Sequence, residues 1–183
     1  MMATSEKAPA LENLFARLPE RIDGWRVLAV GGQNGAADAF DARGAGEIVV
    51  CAEPSEGLRA DFRSFDLVHC TDSESDLQPM SLYAWLWQVT APGSLLLLEA
   101  AVLDDAASSQ YARFVPAGES PTGRSRWVPG RLALRWMVEN SGFDVQGWLP
   151  DSPGVSPLAV GRLQAVRVER SPARDLDRHP LGR

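Results

Sequence analysis

Lysine is all but absent from this chain: Lys7 stands alone, and every other basic residue of the 183 is arginine. The bias reads as base composition of the gene, not as function. Positive charge is short overall, with 18 basic against 24 acidic residues and a net charge of −6. A general nucleic-acid binder is disfavoured on that ground, because neutralising phosphates needs a basic footprint. Histidine is reduced to His69 and His179, far apart, so the spacing supports neither a metal site nor a Ser-His-Asp arrangement. Cysteine is limited to Cys51 and Cys70, each inside a strand-like run, as buried thiols in a reducing compartment are. No stretch approaches the roughly 20 apolar residues of a membrane helix. The opening MMATSEKAP lacks the apolar core of a signal peptide, so a cytoplasmic protein without a membrane span is expected.

What is present is a chain with 45% hydrophobic residues, enough for one domain with a real core. Leu11, Leu14, Phe15 and Leu18 recur at helical spacing and predict an amphipathic helix over 10–18, stopped by Pro19. Nearly continuous apolar runs at 26–30, 48–51, 65–70 and 94–99 predict strands covered on both faces. Helices are expected at 36–42, 81–89 and 130–140, the last beginning after Pro129 and ending at Gly142. A final pair of strands is expected at 144–149 and 163–168, joined by the loop PDSPGVSPLAVG. There is no internal repeat. The pattern divides the chain into an N-terminal helical segment (1–21), a domain (22–170) and a polar, flexible tail (171–183). Alternating strands and helices predict an α/β sandwich of parallel type.

The segment VLAVGGQNGAADAF, residues 27–40, carries the chemistry. A short apolar strand meets Gly31-Gly32-Gln33-Asn34-Gly35, and a helix follows. Glycines let a backbone bend sharply and approach a ligand closely. The unpaired N–H groups of the following helix point at whatever sits there. About 20 residues on, at the end of the next strand, Glu53 stands where a carboxylate can accept both hydroxyls of a ribose. The plain alternative is a tight turn that needs glycine for packing only.

The runs VLAVGGQNG, IVVCAEPSEGL, FDLVHCTDSESDLQP and APGSLLLLEA together resemble the class I S-adenosylmethionine-dependent methyltransferases. The later run YARFVPAGESPTGRSRWVPGRLALRWMVENSGF is similar to the subgroup related to tRNA wobble-uridine carboxymethyl- or methoxyuridine methyltransferases. The resemblance spans residues 22–170 and implies a Rossmann-like fold. It implies that Gly31, Gly32, Gln33, Asn34 and Gly35 wrap the methionine and ribose of the cofactor. Glu53 would hold the ribose hydroxyls, Pro54 would lie against adenine, and Cys70 and Thr71 would line the methionine end. In the segment that covers the active site, Tyr111, Arg113 and Trp127 match residues near the substrate. Arg113, Arg124, Arg126, Arg131 and Arg135 crowd this stretch and would suit a phosphate or carboxylate. A solvated arginine-rich surface is the alternative reading.

The chain departs from that pattern at three points. Ala29 stands where the family has an acid that orients the loop and the methionine amino group. Gln33 replaces a glycine. Only eleven residues, Pro54 to Ser64, separate Glu53 from the next strand. A parallel crossover alone takes about a dozen, so the third strand and its helix are expected to be missing. In the family order 3-2-1-4-5-7-6 that strand is an edge, and about six strands would remain. Two readings stay open. One is a methyltransferase with S-adenosylmethionine as cofactor and a small-molecule acceptor. The other is a methyltransferase-like protein without methyl transfer, either a binding subunit for a protein partner or a pocket recruited for another reaction. The newly exposed second strand also gives a reason to form a dimer or another homo-oligomer.

Three further groups have plainer expectations. His69 lies one residue inside its strand and is expected to pack in the core. Asp72, Glu74 and Asp76 read as an exposed acidic loop capping the helix at Ser81, with a general base as the alternative. Trp85, Trp87, Trp136 and Trp148 are expected to fill core and interface rather than to stack on a ligand.

Overall fold

Eight strands and three helices alternate among the residues that the computed structural model describes: 18–31, 35–52, 64–71, 79–103, 108–119, 125–149 and 158–169. Strand β1 (Arg26–Val30) leads to helix α1 (Gly35–Asp41), β2 (Glu47–Cys51), β3 (Phe65–Thr71), α2 (Pro79–Val89) and β4 (Thr90–Leu103). Then come β5 (Ala112–Val115), β6 (Arg126–Pro129), α3 (Arg131–Asn140), β7 (Phe143–Leu149) and β8 (Leu158–Arg167). Residues 10–17 of the helix expected over 10–18 and the tail from 171 lie outside the described residues, as do Asp72, Glu74 and Asp76.

Six strands form one sheet in the order β2-β1-β3-β4-β8-β7. The first four are parallel, and β8 and β7 run antiparallel to them and to each other, respectively. The sheet is therefore mixed: a half of the expected parallel type is completed by an antiparallel pair. Chain length explains the difference. Only residues 150–157 join β7 to β8, too few for a parallel crossover but ample for a hairpin. The reduced count of six strands stands as expected, with β2 at the edge among the described residues.

The apolar runs are continuous because both faces are covered. Leu28, Val68 and Leu96 point to one side, against Leu82 and Leu86 of α2 and Leu134 and Val138 of α3. Val27, Leu67 and Leu97 point to the other, against Ala36 and Phe40 of α1. Each buried leucine contributes about 1.5–3 kcal/mol relative to exposure. Helix α3 stops where expected: Gly142 takes φ +91° and its N–H donates to the Glu139 carbonyl at 3.1 Å. Trp85 is buried; Trp87 is half-buried beneath the Arg167 guanidinium, 4.3 Å from its ring centroid. Trp148 likewise packs against the core with Arg131 stacked on it at 5.1 Å, whereas Trp136 is exposed. No helix among the described residues is long and apolar enough to cross a membrane.

A sharp local constraint falls at Gly31, just past β1. Its φ is +64°, its N–H donates to the Cys51 carbonyl at 2.9 Å, and an added Cβ would lie 2.5 Å from the Thr71 carbonyl oxygen. Both the dihedral and the contact reject a side chain. Gly31→Ala is expected to lower stability in urea unfolding by about 1–3 kcal/mol. Gly118→Ala, where nothing lies within 4 Å, is the control expected to change it little.

Candidate functional site

The carboxyl ends of the parallel strands set the ligand edge of such a sheet. There Gly31 abuts Thr71, Thr71 pairs with Glu99, Glu99 with Arg162, and Arg162 with Leu149. These residues form one rung across the sheet from β1 to β7. Two residues lower on each strand, Ala29 pairs with His69 and His69 with Leu97. Because side chains alternate along strands, Ala29, His69 and Glu99 share the face that α1 covers. Along β4 that face changes character in order: Leu95 and Leu97 pack on the α1 side, Glu99 interrupts, and Ala101 and Leu103 belong to a separate small cluster.

Glu99 is the centre of a buried polar row. Its Oε1 accepts from His69 Nε2 at 2.8 Å and its Oε2 accepts from Arg162 Nε at 2.8 Å. His69 and Arg162 are both buried, and the Glu99 side chain keeps 15% of its surface. Burial alone would push the Glu99 carboxyl up. The hydrogen bond and charge of His69, then those of Arg162, more than reverse this and hold it at about 2. An ionised carboxylate only accepts, so Nε2 of His69 carries the proton shared with Oε1. The other ring nitrogen, Nδ1, is buried with no hydrogen-bond partner among the described residues. Phe40 meets the same ring edge-on, with centroids 6.0 Å apart.

Strands β5 and β6 form a second, two-stranded sheet above this row. Its buried Val115 and Val128 pack on Leu103, and a bridge between Leu103 and Gly130 ties it to the end of β4. On its other side Phe114 and Trp127 meet edge-to-face at 5.6 Å, and Trp127 stays 58% exposed. Tyr111, just before β5, is 66% exposed and its carbonyl accepts from the Gly130 N–H at 2.7 Å.

The site residues expected from sequence divide into three groups. Gly31 and Thr71 meet at the edge, and Gly35 opens α1. Cys70 ends in the same place, but its thiol is buried in the core on the opposite face, as Cys51 is. Gly32, Gln33, Asn34, Glu53 and Pro54 lie outside the described residues. Tyr111, Arg113 and Trp127 all fall on or beside the small sheet. Arg113 pairs with Val128 while Trp127 pairs with Phe114, so the two occupy opposite faces. Of the crowded arginines, Arg131 stacks on Trp148 and Arg135 bonds Glu139 at 2.7 Å, both on α3. Arg124 lies outside the described residues. Sequence reasoning passed over Glu99 and Arg162. The available signal was a lone acid ending a run of four leucines and a lone arginine just ahead of the expected last strand.

No family model and no curated protein matches the sequence. Solved structures match its fold over most of its length. The 1,6-didemethyltoxoflavin-N1-methyltransferase of Burkholderia thailandensis, with S-adenosylhomocysteine bound, is 16% identical with a TM-score of 0.65, covering 88% of this chain and 77% of its own. The geranyl diphosphate methyltransferase with sinefungin is 11% identical with a TM-score of 0.63, covering 89% and 79%. The 4+2 cyclase SpnF is 15% identical with a TM-score of 0.61, covering 91% and 84%. At such identity the likeness concerns the fold: the chain has the Rossmann-like methyltransferase fold, with a reduced strand count.

The row has a pH signature. Glu99, depressed from 4.5 to about 2, contributes stability that is complete above its unfolded value and is lost as pH falls through its folded one. The depression is worth on the order of 3 kcal/mol. Glu99→Gln is expected to be clearly less stable than the parent at pH 7. The gap should narrow between pH 4.5 and about 2, the range set by this carboxyl, as measured by urea unfolding across that range.

Proposed function

We propose that this protein is an S-adenosylmethionine-dependent methyltransferase acting on a small molecule. The observation that supports this most is the edge at Gly31, Thr71 and Glu99 in a sheet whose structural neighbours include methyltransferases holding S-adenosylhomocysteine or sinefungin. The residues present suit the cofactor. Its cationic methionine end needs acceptors, and this edge offers the carboxylate of Glu99. Gly32, Gln33, Asn34 and Gly35 would follow the methionine and ribose, Glu53 would accept the ribose hydroxyls, and Pro54 would sit at adenine.

The cofactor would supply a methyl group already activated on a sulfonium, so the protein's task is to place the acceptor atom in line with it. The small sheet of β5 and β6 is suited to that task. It stands on the end of β4 beyond Glu99 and presents Tyr111, Arg113 and Trp127. An anionic acceptor would find Arg113 on the face that carries Val115 and Val128, and an aromatic one would find flat apolar surface on the opposite face, at Phe114 and Trp127. The narrower likeness to tRNA-modifying enzymes is left aside, because a chain of net charge −6 lacks a basic footprint for RNA.

A second reading rests on Ala29. With no acid on β1, the pocket of a methyltransferase fold can have been turned to another reaction or to holding a protein partner. The likeness to a cyclase is in keeping with that. Pairing through β2, whose Val50 is 52% exposed, belongs with either reading as a proposed homo-oligomer.

Calorimetric titration with S-adenosylmethionine and S-adenosylhomocysteine separates the two. Micromolar binding that is lost in Glu53→Ala is the expected outcome and justifies a search for the acceptor. No heat and no thermal shift at millimolar ligand would overturn the methyltransferase reading and turn attention to partners.

A further inference from the structure

A methyltransferase fold with Ala29 on β1 has lost the carboxylate that its loop would use, yet a carboxylate stands at the same edge two strands away. Ala29 and Glu99 share one face of the sheet. Glu99 is level with Thr71, which in turn abuts Gly31. At about 4.8 Å per strand step, Glu99 is on the order of 10 Å across the edge from Gly31, a span that a ligand lying along the edge can bridge. Between them His69 occupies the place beside Ala29 and leans up to Glu99.

We propose that Glu99, clamped between His69 and Arg162, is the anionic anchor for the ligand's ammonium group, taking over from the acid missing at position 29. The proposal rests on the reading of this site as an S-adenosylmethionine site and names the residue that holds its cationic end. Two features support it beyond a purely structural cross-link. A carboxylate has about four acceptor positions, and His69 and Arg162 use two of them. The Glu99 side chain is not sealed, keeping 15% of its surface at the edge. A cross-link between strands needs neither of these, and an apolar residue would serve it at lower desolvation cost.

The small sheet gives the anchor a direction. Along β4 the anchored group would sit between Leu95 and Leu97 on the α1 side and Ala101 and Leu103, where the small sheet begins. The ammonium would thus be held on the α1 side of the small sheet, with the reacting end free to face it.

The test compares two ligands on the full-length protein by calorimetry: S-adenosylhomocysteine and the same molecule with its α-amino group replaced by hydrogen. The parent protein is expected to bind the amino-free ligand about tenfold more weakly or worse, the size of a charge-assisted hydrogen bond. In Glu99→Gln, shown folded by circular dichroism, the two ligands should bind within about twofold of each other. Unchanged discrimination in a folded Glu99→Gln overturns the anchor and leaves the methyltransferase reading intact. Should that variant not fold, Glu99→Asp keeps the charge and withdraws it by one methylene. Full discrimination in Glu99→Asp counts against the proposal, and reduced discrimination supports it. No binding of S-adenosylhomocysteine by the parent protein takes down the methyltransferase reading and the anchor with it.

Discussion

A carboxylate withdrawn from water has to be matched by donors or it will not stay charged, and Glu99 imposes that requirement on three strands at once. His69 must come from β3 and Arg162 from β8, each at 2.8 Å. A register slip of one residue in either strand would turn its partner to the opposite face and leave an unpaired charge in the interior. Removing one member of such a cluster typically costs about 3–5 kcal/mol. The pairing of β3, β4 and β8 is thus held by a polar constraint as well as by leucine packing. Everything nearer the ligand edge, from Gly31 to the small sheet, takes its position from these strands.

Much of the fold was legible in the sequence because the sheet is covered on both sides. Apolar runs without alternation announce such strands, and β1 begins and ends where its run does; β2 and β3 agree within a residue. Gly142 stops α3 for the reason that glycine stops helices, its positive φ. The reduced count of six strands in the main sheet among the described residues was expected from counting the eleven residues after Glu53. The small sheet was not legible. Its strands are four residues each and carry arginine and tryptophan rather than a periodic apolar pattern. Length of chain, read in the same way between β7 and β8, would have exposed the antiparallel hairpin.

The site was legible only in its local part. Gly31 can be found from its neighbours in sequence, but the space it fills against Thr71 depends on β3 lying beside it. His69 was rightly read as buried, while its partner was invisible. Glu99 and Arg162 are 63 residues apart and meet only through antiparallel register. Nothing local marks an acid at the end of Leu95–Leu98 as functional, since strand ends commonly carry one polar residue. Long-range pairs of this kind are what single-sequence reading loses, and they are also where this site has its charge.

The antiparallel finish of the sheet has a consequence for synthesis. The guanidinium that steadies Glu99 belongs to β8, near the end of the described chain, and β8 inserts between β4 and β7 rather than adding to an edge. While the chain is still being made, β4 therefore has an open flank, and Glu99 has at most His69 for company. The parallel half can assemble on its own residues, but its most demanding charge waits for a segment 63 positions later. Such non-local closures come late in folding and leave sheet flanks exposed in the meantime. A nascent protein of this design is unfinished at this edge until β8, the last strand among the described residues, has emerged.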